Sequence, residues 1–428
     1  MKLLIISRTP WNDSSSFGNT FSNLFSGMED IEIFHICCQS GASDNQLTVR
    51  SFQMTEESVL KSIFGRPAGK EIHSSKQKDP DDRIYSLQKN VKRWPVFYIA
   101  RDLIWKAGRW KKSPELLRYL QSFQPDVIYL PLYASWYMCD VQQYIVDYYK
   151  TVPAVGHISD DIYSLPEHFL TPPLFLLYRV VLRKKLRKLM TKVRYLEVFA
   201  ENMQEEYPAI FGKECYLIGK GVDPDEIGVR SVPVISGSEK AVYVYTGNIG
   251  DGRFKVLAEL GKAIDRVYGG EAELRIYTAT ALSGKMRRAF AGIRCLRYMG
   301  SVSAPEIKEI RQAADFLVHV EDFSKKAVFA ARMSFSTKII DYLMTGRPLI
   351  AIGPAEVNSM QVLAKKQAAV TINAADRIEE TVRRIRDNGT DWEFYGKNAA
   401  EYLKQNRDIR VIQKGMYDRL KKTAEADS

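Results

Sequence analysis

The chain has 428 residues, 45% hydrophobic and 26% charged, which excludes a disordered or fibrous protein and suits two α/β domains of about 200 residues each. Its formal charge of +11 favours anionic partners: phosphates, acidic lipid or nucleic acid. The five cysteines (Cys37, Cys38, Cys139, Cys215, Cys295) have no metal-ligand spacing, and with no export signal at the start they fit a reducing, cytoplasmic compartment.

Lys2–Ser7 reads as a buried strand. The loop after it, Arg8 to Thr20, opens a helix at Ser16, Gly18 and Asn19. Small residues there suit either backbone amides facing an anion or sugar, or an ordinary strand-to-helix turn. Further strands are expected at Ile31–Cys37, Val127–Leu130, Ala154–His157 and Tyr195–Ala200, with an exposed loop over residues 65–82. His157 closes its strand and is followed by Ile158-Ser159-Asp160-Asp161. A histidine and carboxylates at a strand's carboxyl end stand where α/β active sites form, although Asp161 reads equally as a turn cap.

No stretch reaches the about 18–20 uninterrupted apolar residues of a membrane span; Leu174–Leu182 is broken by Arg179. From there the chain is basic: no acid lies between Glu167 and Glu197, while Arg183, Lys184, Lys185, Arg187 and Lys188 follow one another. Leu182, Leu186, Leu189, Met190 and Val193 recur at helical spacing. This predicts an amphipathic helix docked on an anionic membrane, or a core helix with solvated cations. The charge is concentrated on this helix and no nucleic-acid module is present, so nucleic acid is not an expected partner.

A composition break at Gly219–Gly237 precedes a second series of strands: Ala241–Thr246, Glu273–Tyr277, Cys295–Met299, Phe316–Val320, Pro348–Ile352 and Ala368–Ile372. Helical segments separate them, so two open parallel sheets are expected, with ligand at the carboxyl ends of their strands in a cleft between domains. Thr246-Gly247-Asn248-Ile249-Gly250-Asp251-Gly252-Arg253-Phe254-Lys255 combines glycines for close backbone approach with two cations at a helix start. Pyrophosphate binding needs that combination, though neither the phosphate-binding P-loop nor the dinucleotide fingerprint is spelled out. In Ser334 to Pro348, Ser336 or Thr337 is expected to cap a helix that carries Lys338 and Asp341 on one face. A cation, a carboxylate and free amides together suit a diphosphate and a ribose.

The segment Ser336-Thr337-Lys338-Ile339-Ile340-Asp341-Tyr342-Leu343-Met344-Thr345-Gly346-Arg347-Pro348-Leu349-Ile350 resembles the donor helix of GT-B glycosyltransferases, specifically family-4-like enzymes of bacterial surface-polysaccharide assembly. Tyr245 to Gly250 looks like that family's donor-phosphate loop, Tyr298-Met299-Gly300-Ser301-Val302 like its loop near the base, and Gly219-Lys220-Gly221-Val222-Asp223 like its interdomain segment. Two positions depart from it: Met333 stands where the first of two acids eight apart is usual, with Glu321 the nearby acid, and Lys220 replaces an asparagine.

The resemblance implies an α/β GT-B fold of two Rossmann-like domains, residues 1–222 on the acceptor side and 223–407 on the donor side, with a helix of about residues 408–428 packing back on the first. It implies retaining transfer from a nucleotide-sugar, UDP- or GDP-linked, to a saccharide or polyprenyl-diphosphate-linked acceptor, with no resident cofactor and no required metal. Gly247, Asn248, Arg253, Lys255, Gly300, Glu321, Ser336, Thr337, Lys338 and Asp341 are then the donor-binding set. His157 and Asp160 are the catalytic candidates, and the enzyme is expected at the inner face of the plasma membrane. The alternatives are a sugar-nucleotide 2-epimerase of the same fold and a catalytically inactive, membrane-associated binding subunit.

Overall fold

The computed structural model of the chain describes residues 1–13, 15–72, 95–165, 173–228 and 240–426. They form two units: Met1–Gly219 with Arg410–Ser428, and Lys220–Ile409.

Unit 1 is built on β1 (Lys2–Ser7), β2 (Glu32–Cys37), β3 (Thr48–Gln53), β4 (Lys70–Ile72), β5 (Val127–Pro131), β6 (Ala154–Ile158), β7 (Val193–Val198) and β8 (Cys215–Leu217). They join one sheet in the order β4-β3-β2-β1-β5-β6-β7-β8, parallel except for the antiparallel pair β3–β4. All five residues of β5 and of β6 are buried, as continuous apolar strands covered by helices on both faces must be. The strand order reverses between β1 and β5, which opens a crevice at their carboxyl ends. Residues 70–72, expected in a loop, form β4; the rest of that expected loop from residue 73 onward lies outside the described residues. Cys37, Cys38, Cys139 and Cys295 are buried free thiols.

The expected membrane stripe turns the other way. In the helix Pro173–Met190, Leu182, Leu186, Leu189 and Met190 are buried, and so is Val193 of β7. They are core residues of unit 1 because this face covers the sheet, and they are not available to a bilayer. Of the cations, Arg183 donates to the Tyr163 carbonyl (2.8 Å) and stacks on the Tyr163 ring, and Lys185 pairs with Asp140; Lys184, Arg187 and Lys188 are exposed.

The helix Ile409–Glu425 completes this unit. Met416 and Leu420 enter the core formed by Phe21, Phe25 and Tyr129, and Gln413 donates to the Asn23 carbonyl (2.8 Å). Arg419 reaches inward to the fully buried Glu197 (2.7 Å), which also accepts from the Tyr129 hydroxyl (2.7 Å). Burial pushes the Glu197 carboxyl up, and the Arg419 charge opposes that shift.

Unit 2 is a six-stranded, all-parallel sheet: β9 (Ala241–Thr246), β10 (Ala272–Tyr277), β11 (Leu296–Gly300), β12 (Phe316–Val320), β13 (Leu349–Ile352) and β14 (Val370–Ile372). Its order, β11-β10-β9-β12-β13-β14, is that of a nucleotide-binding Rossmann sheet, with the reversal between β9 and β12. The helix Arg253–Tyr268 follows β9 and buries Val256, Leu257, Leu260, Ile264 and Val267 at helical spacing. The helix Thr337–Met344 buries Ile339, Ile340 and Leu343, which leaves Lys338 and Asp341 at the edge of the core.

Arg419→Ala strands the Glu197 carboxylate in the core of unit 1, so it is expected to cost about 3–5 kcal/mol in the unfolding of that unit. Adding Glu197→Gln to it should restore much of the loss in denaturant titrations followed by circular dichroism, since a buried amide carries no charge to desolvate.

Candidate functional site

The crevice at the carboxyl ends of β9 and β12 gathers most of the polar residues singled out in the second half. The turn after β9 winds tightly: the Asn248 carboxamide oxygen accepts from the Gly250 amide (2.7 Å), and the Tyr245 hydroxyl donates to the Asn248 carbonyl (2.6 Å). Gly247 has φ +137°, a backbone state that other residues rarely adopt, and a Cβ there would lie 2.1 Å from the Lys338 amine. The missing side chain of Gly247 therefore makes the seat of Lys338.

The helix Thr337–Met344 is fastened to this turn by a side chain to which the sequence pattern assigned no role. Tyr342 lies one helical turn after Lys338, and its hydroxyl accepts from the Thr246 amide (3.0 Å) and donates to the Thr246 carbonyl (2.9 Å). Its i+4 spacing from Lys338 was the available signal. Ser336 occupies the N-cap position but makes no side-chain capping bond, and both it and Thr337 are partly exposed. The Ile339 amide turns back to the Ser336 carbonyl (3.0 Å), which leaves the amides of Thr337 and Lys338 for a ligand.

Three of the four cations here have carboxylate partners. Arg253 binds Glu321 through two nitrogens (3.0 and 2.8 Å). Lys220 and Arg311 grip opposite oxygens of Asp341, Arg311 at 3.1 Å, and Arg311 also donates to the Thr246 hydroxyl (3.2 Å). Lys338 is the exception: among the described residues its amine has no hydrogen bond or ion pair, and it stands 5.3 Å from the centre of the Tyr245 ring. Burial, reinforced by the Arg253 charge, pushes its pKa down to about 8. His319, on β12, is pushed to about 3 by burial and by the Lys338 and Arg253 charges, so it remains neutral. Glu321 is pushed up by burial while Arg253 pulls it back.

Asp341 was expected to face a ribose, and it faces two cations. A carboxylate offers about four lone-pair sites, so two remain for hydroxyl donors. Arg311 and Lys220 gave no local signal: one ends a helix on the far side of β12 in sequence, the other sits in the linker. Met333, at the position of the usual first acid, is fully buried. Lys255 is exposed on the outer face of its helix and joins no contact of the crevice. Gly300 closes β11 with φ +76°, and its carbonyl accepts from the Thr278 amide (2.7 Å). Nearby, Thr280 donates to Asn248 (3.1 Å) and accepts from the Tyr298 hydroxyl (3.0 Å), so the loops after β9, β10 and β11 form one connected rim.

The candidates in unit 1 are placed differently. His157 is 2% exposed, packed edge-on against Phe21 and Phe199, with Nδ1 3.0 Å from the Tyr129 hydroxyl. That hydroxyl gives its one proton to Glu197, so Nδ1 is the donor of the pair. Burial lowers its pKa to about 3. The imidazole thus ends a buried chain leading to Arg419 and does not stand in open solvent, because the Phe21 and Phe199 rings close over it. Asp160 is exposed, while Asp161 accepts from the Tyr163 and Ser164 amides (3.0 and 3.1 Å) as a turn cap. Ser16 and Asn19 are exposed on the first helix; Gly18 is buried, and a Cβ there would lie 2.0 Å from the Asn12 carbonyl oxygen. The space at Gly18 is filled by the chain's own loop, and its amide donates to the Ser15 hydroxyl (3.0 Å). Of the two readings of this loop, Gly18 fits the ordinary strand-to-helix turn.

No protein-family model and no curated protein matches the sequence. Its fold is similar to that of solved structures along nearly its whole length. HepE from Anabaena in complex with UDP matches with a TM-score of 0.65 at 12% identity, covering 99% of this chain and 100% of that one. An α,α-trehalose 6-phosphate synthase from Burkholderia multivorans matches at 0.62 and 10% identity, covering 99% and 97%. The lipopolysaccharide outer core galactosyltransferase WaaB matches at 0.59 and 13% identity, covering 98% and 100%. The chain has the GT-B fold of two Rossmann-like domains.

Gly247→Ala must displace the Lys338 amine and strain the backbone, and is expected to lower the stability of unit 2 by about 1–3 kcal/mol. Gly300→Ala, at a positive φ with open space beside it, is the control for strain alone. A difference between the two in denaturant titrations measures the displacement of Lys338.

Proposed function

We propose that the chain is a glycosyltransferase that binds a nucleoside-diphosphate sugar in unit 2. The observation that carries this is Lys338: a half-buried ammonium without an anion among the described residues, seated on Gly247 at the β9–β12 crevice beside Arg253 and the start of the helix Thr337–Met344. A diphosphate supplies the missing charge, and the same groups stabilise the charge that builds on it as the sugar departs. Asp341 accepts the ribose hydroxyls on its remaining lone pairs, and the rim of Asn248, Thr280 and Gly300 lies along the base. The solved structures support this assignment, since HepE was crystallised with UDP and with UDP-glucose. UDP is therefore the first donor base to test.

The finer reading is retaining transfer without a required metal, to a saccharide or polyprenyl-diphosphate-linked acceptor in bacterial surface-polysaccharide assembly at the inner face of the plasma membrane. It is supported by the family resemblance of the donor helix and by the cations around the crevice. A second reading is favoured by one observation: the fully buried Met333 at the usual first-acid position fits a sugar-nucleotide-binding subunit without turnover. Nucleotide release from a panel of uridine, guanosine, thymidine and adenosine diphospho-sugars, with and without acceptor lipid, separates the two.

Lys338→Met should weaken UDP binding by about 1.5–3 kcal/mol in titration calorimetry, the worth of a charge-assisted hydrogen bond. Unchanged affinity would sink the assignment.

The pH dependence has a defined sign. The free amine loses its proton near pH 8, and a bound diphosphate raises that value, so binding takes up a proton above pH 8. Affinity for UDP-glucose, whose diester diphosphate keeps its charge over this range, should be flat below about pH 7 and fall by up to about tenfold per unit above pH 8. Lys338→Arg, charged throughout this range, should abolish the fall.

A further inference from the structure

Exposed large apolar side chains are concentrated on one part of this chain. Of twelve among the described residues, seven lie on three helical segments of unit 1: the helix Glu56–Ser62 with the turn after it, the helix Pro95–Ala107, and the helix Pro173–Met190. These segments pack side by side, with the second in the middle. On one flank Arg109 donates to the Ser62 hydroxyl (2.9 Å), and a Cβ on Gly108 would touch Val59. On the other, the Tyr178 hydroxyl donates to Asp102 (2.8 Å) and its ring lies 6.2 Å from that of Tyr98.

Each of the two longer helices turns an apolar row outward at intervals of three. On one the row is Phe97, Ala100 and Leu103; on the other it is Leu174, Leu177 and Val180. Their opposite faces are occupied by core residues, Trp105 on one and Leu182 and Leu186 on the other. Leu103 and Leu177 are 57% and 59% exposed, and Phe64, in the turn after the helix Glu56–Ser62, is 83% exposed. Both rows run into exposed cations: Lys106, Arg109 and Lys112 after the first, Lys184, Arg187 and Lys188 after the second. The acids of the longer helices and their supports are already engaged: Asp102 is buried under Tyr178, and Asp140 pairs with Lys185. Among the described residues no helix is long and apolar enough to cross a membrane.

We propose that this three-helix face seats unit 1 on an anionic bilayer. Phe97, Leu103, Leu174 and Leu177 enter the boundary between headgroups and acyl chains, and the cations at the ends of the rows meet lipid phosphates. An apolar row bordered by cations matches the order of layers in a bilayer leaflet, which selects lipid over a protein surface. The inference deepens the reading above by assigning the surface that meets the membrane; it rests on that reading for a lipid-linked acceptor, and the contact itself can hold or fail separately from donor binding.

The test is flotation of the full chain with vesicles of equimolar phosphatidylglycerol and phosphatidylcholine, beside vesicles of phosphatidylcholine alone. The wild type should float with the anionic vesicles at low salt and release as salt rises. Leu103→Glu with Leu177→Glu, both at exposed positions, should lower partitioning about tenfold or more, while the melting temperature and UDP affinity stay at wild-type values. Replacing Lys184, Arg187 and Lys188 with glutamine should remove the preference for anionic vesicles. The proposal is overturned if the wild type stays unbound at low salt or if the double leucine variant floats as well as the wild type. It is also overturned if the same substitutions instead abolish a concentration-dependent self-association seen by sedimentation. Loss of UDP binding with vesicle binding intact counts against the donor-site reading alone.

Discussion

A cation half-removed from water with no anion beside it is the constraint on which unit 2 turns. Removing an ammonium from water is costly, and proteins ordinarily offset the cost with a fixed carboxylate. Arg253, Arg311 and Lys220 follow that rule through Glu321 and Asp341. Lys338 does not, and its lowered pKa records the cost. The neighbouring features read as means of holding it there: Gly247 leaves it room, Tyr342 ties its helix to the end of β9, and the pairing of Arg253 with Glu321 keeps that carboxylate occupied. A carboxylate placed to satisfy Lys338 would stabilise the unit and close the site to an anion. Binding sites commonly carry such local cost.

The two sheets could be read from the sequence because their central strands are continuous apolar runs bounded by turn residues. Ala241–Thr246 and Phe316–Val320 needed no tertiary information. What escaped lies at the edges of the first sheet or next to one. β3 carries Arg50, Ser51 and Gln53, and β4 and β8 are three residues long, so they owe their place to pairing with a neighbour more than to their own pattern. The helix Thr337–Met344 was legible through spacing, since Lys338 and Asp341 share one face. Arg311 and Lys220 were not, because the contact with Asp341 joins residues 30 and 121 positions away.

Amphipathic pattern told which residues sit opposite one another on the helix Pro173–Met190 and could not tell which face met the sheet. The continuous stripe of Leu182, Leu186 and Leu189 was the face the core needed; the shorter row of Leu174, Leu177 and Val180 was left outside. His157 shows a related limit. A histidine after a β-branched strand stands at the expected end of the sheet, but the sequence does not show that Phe21 and Phe199 close over it. Three buried histidines, His35, His157 and His319, are each pushed to about 3 by burial, so they serve as neutral hydrogen-bonding groups in the folded chain.

The helix Ile409–Glu425 makes unit 1 discontinuous along the chain, and this bears on the order in which the protein is made. Glu197 and the apolar faces around Tyr129 leave the ribosome long before Arg419, Met416 and Leu420 that complete them. The intervening unit 2, Lys220–Ile409, is contiguous and can fold as soon as it emerges. At about 5–20 residues per second, its synthesis leaves unit 1 unfinished for about 10–40 s, with a buried-type carboxylate still hydrated and an apolar groove open. Completion of unit 1 thus waits for a helix made after unit 2, and a nascent chain released between the two would carry a folded unit 2 and an incomplete unit 1.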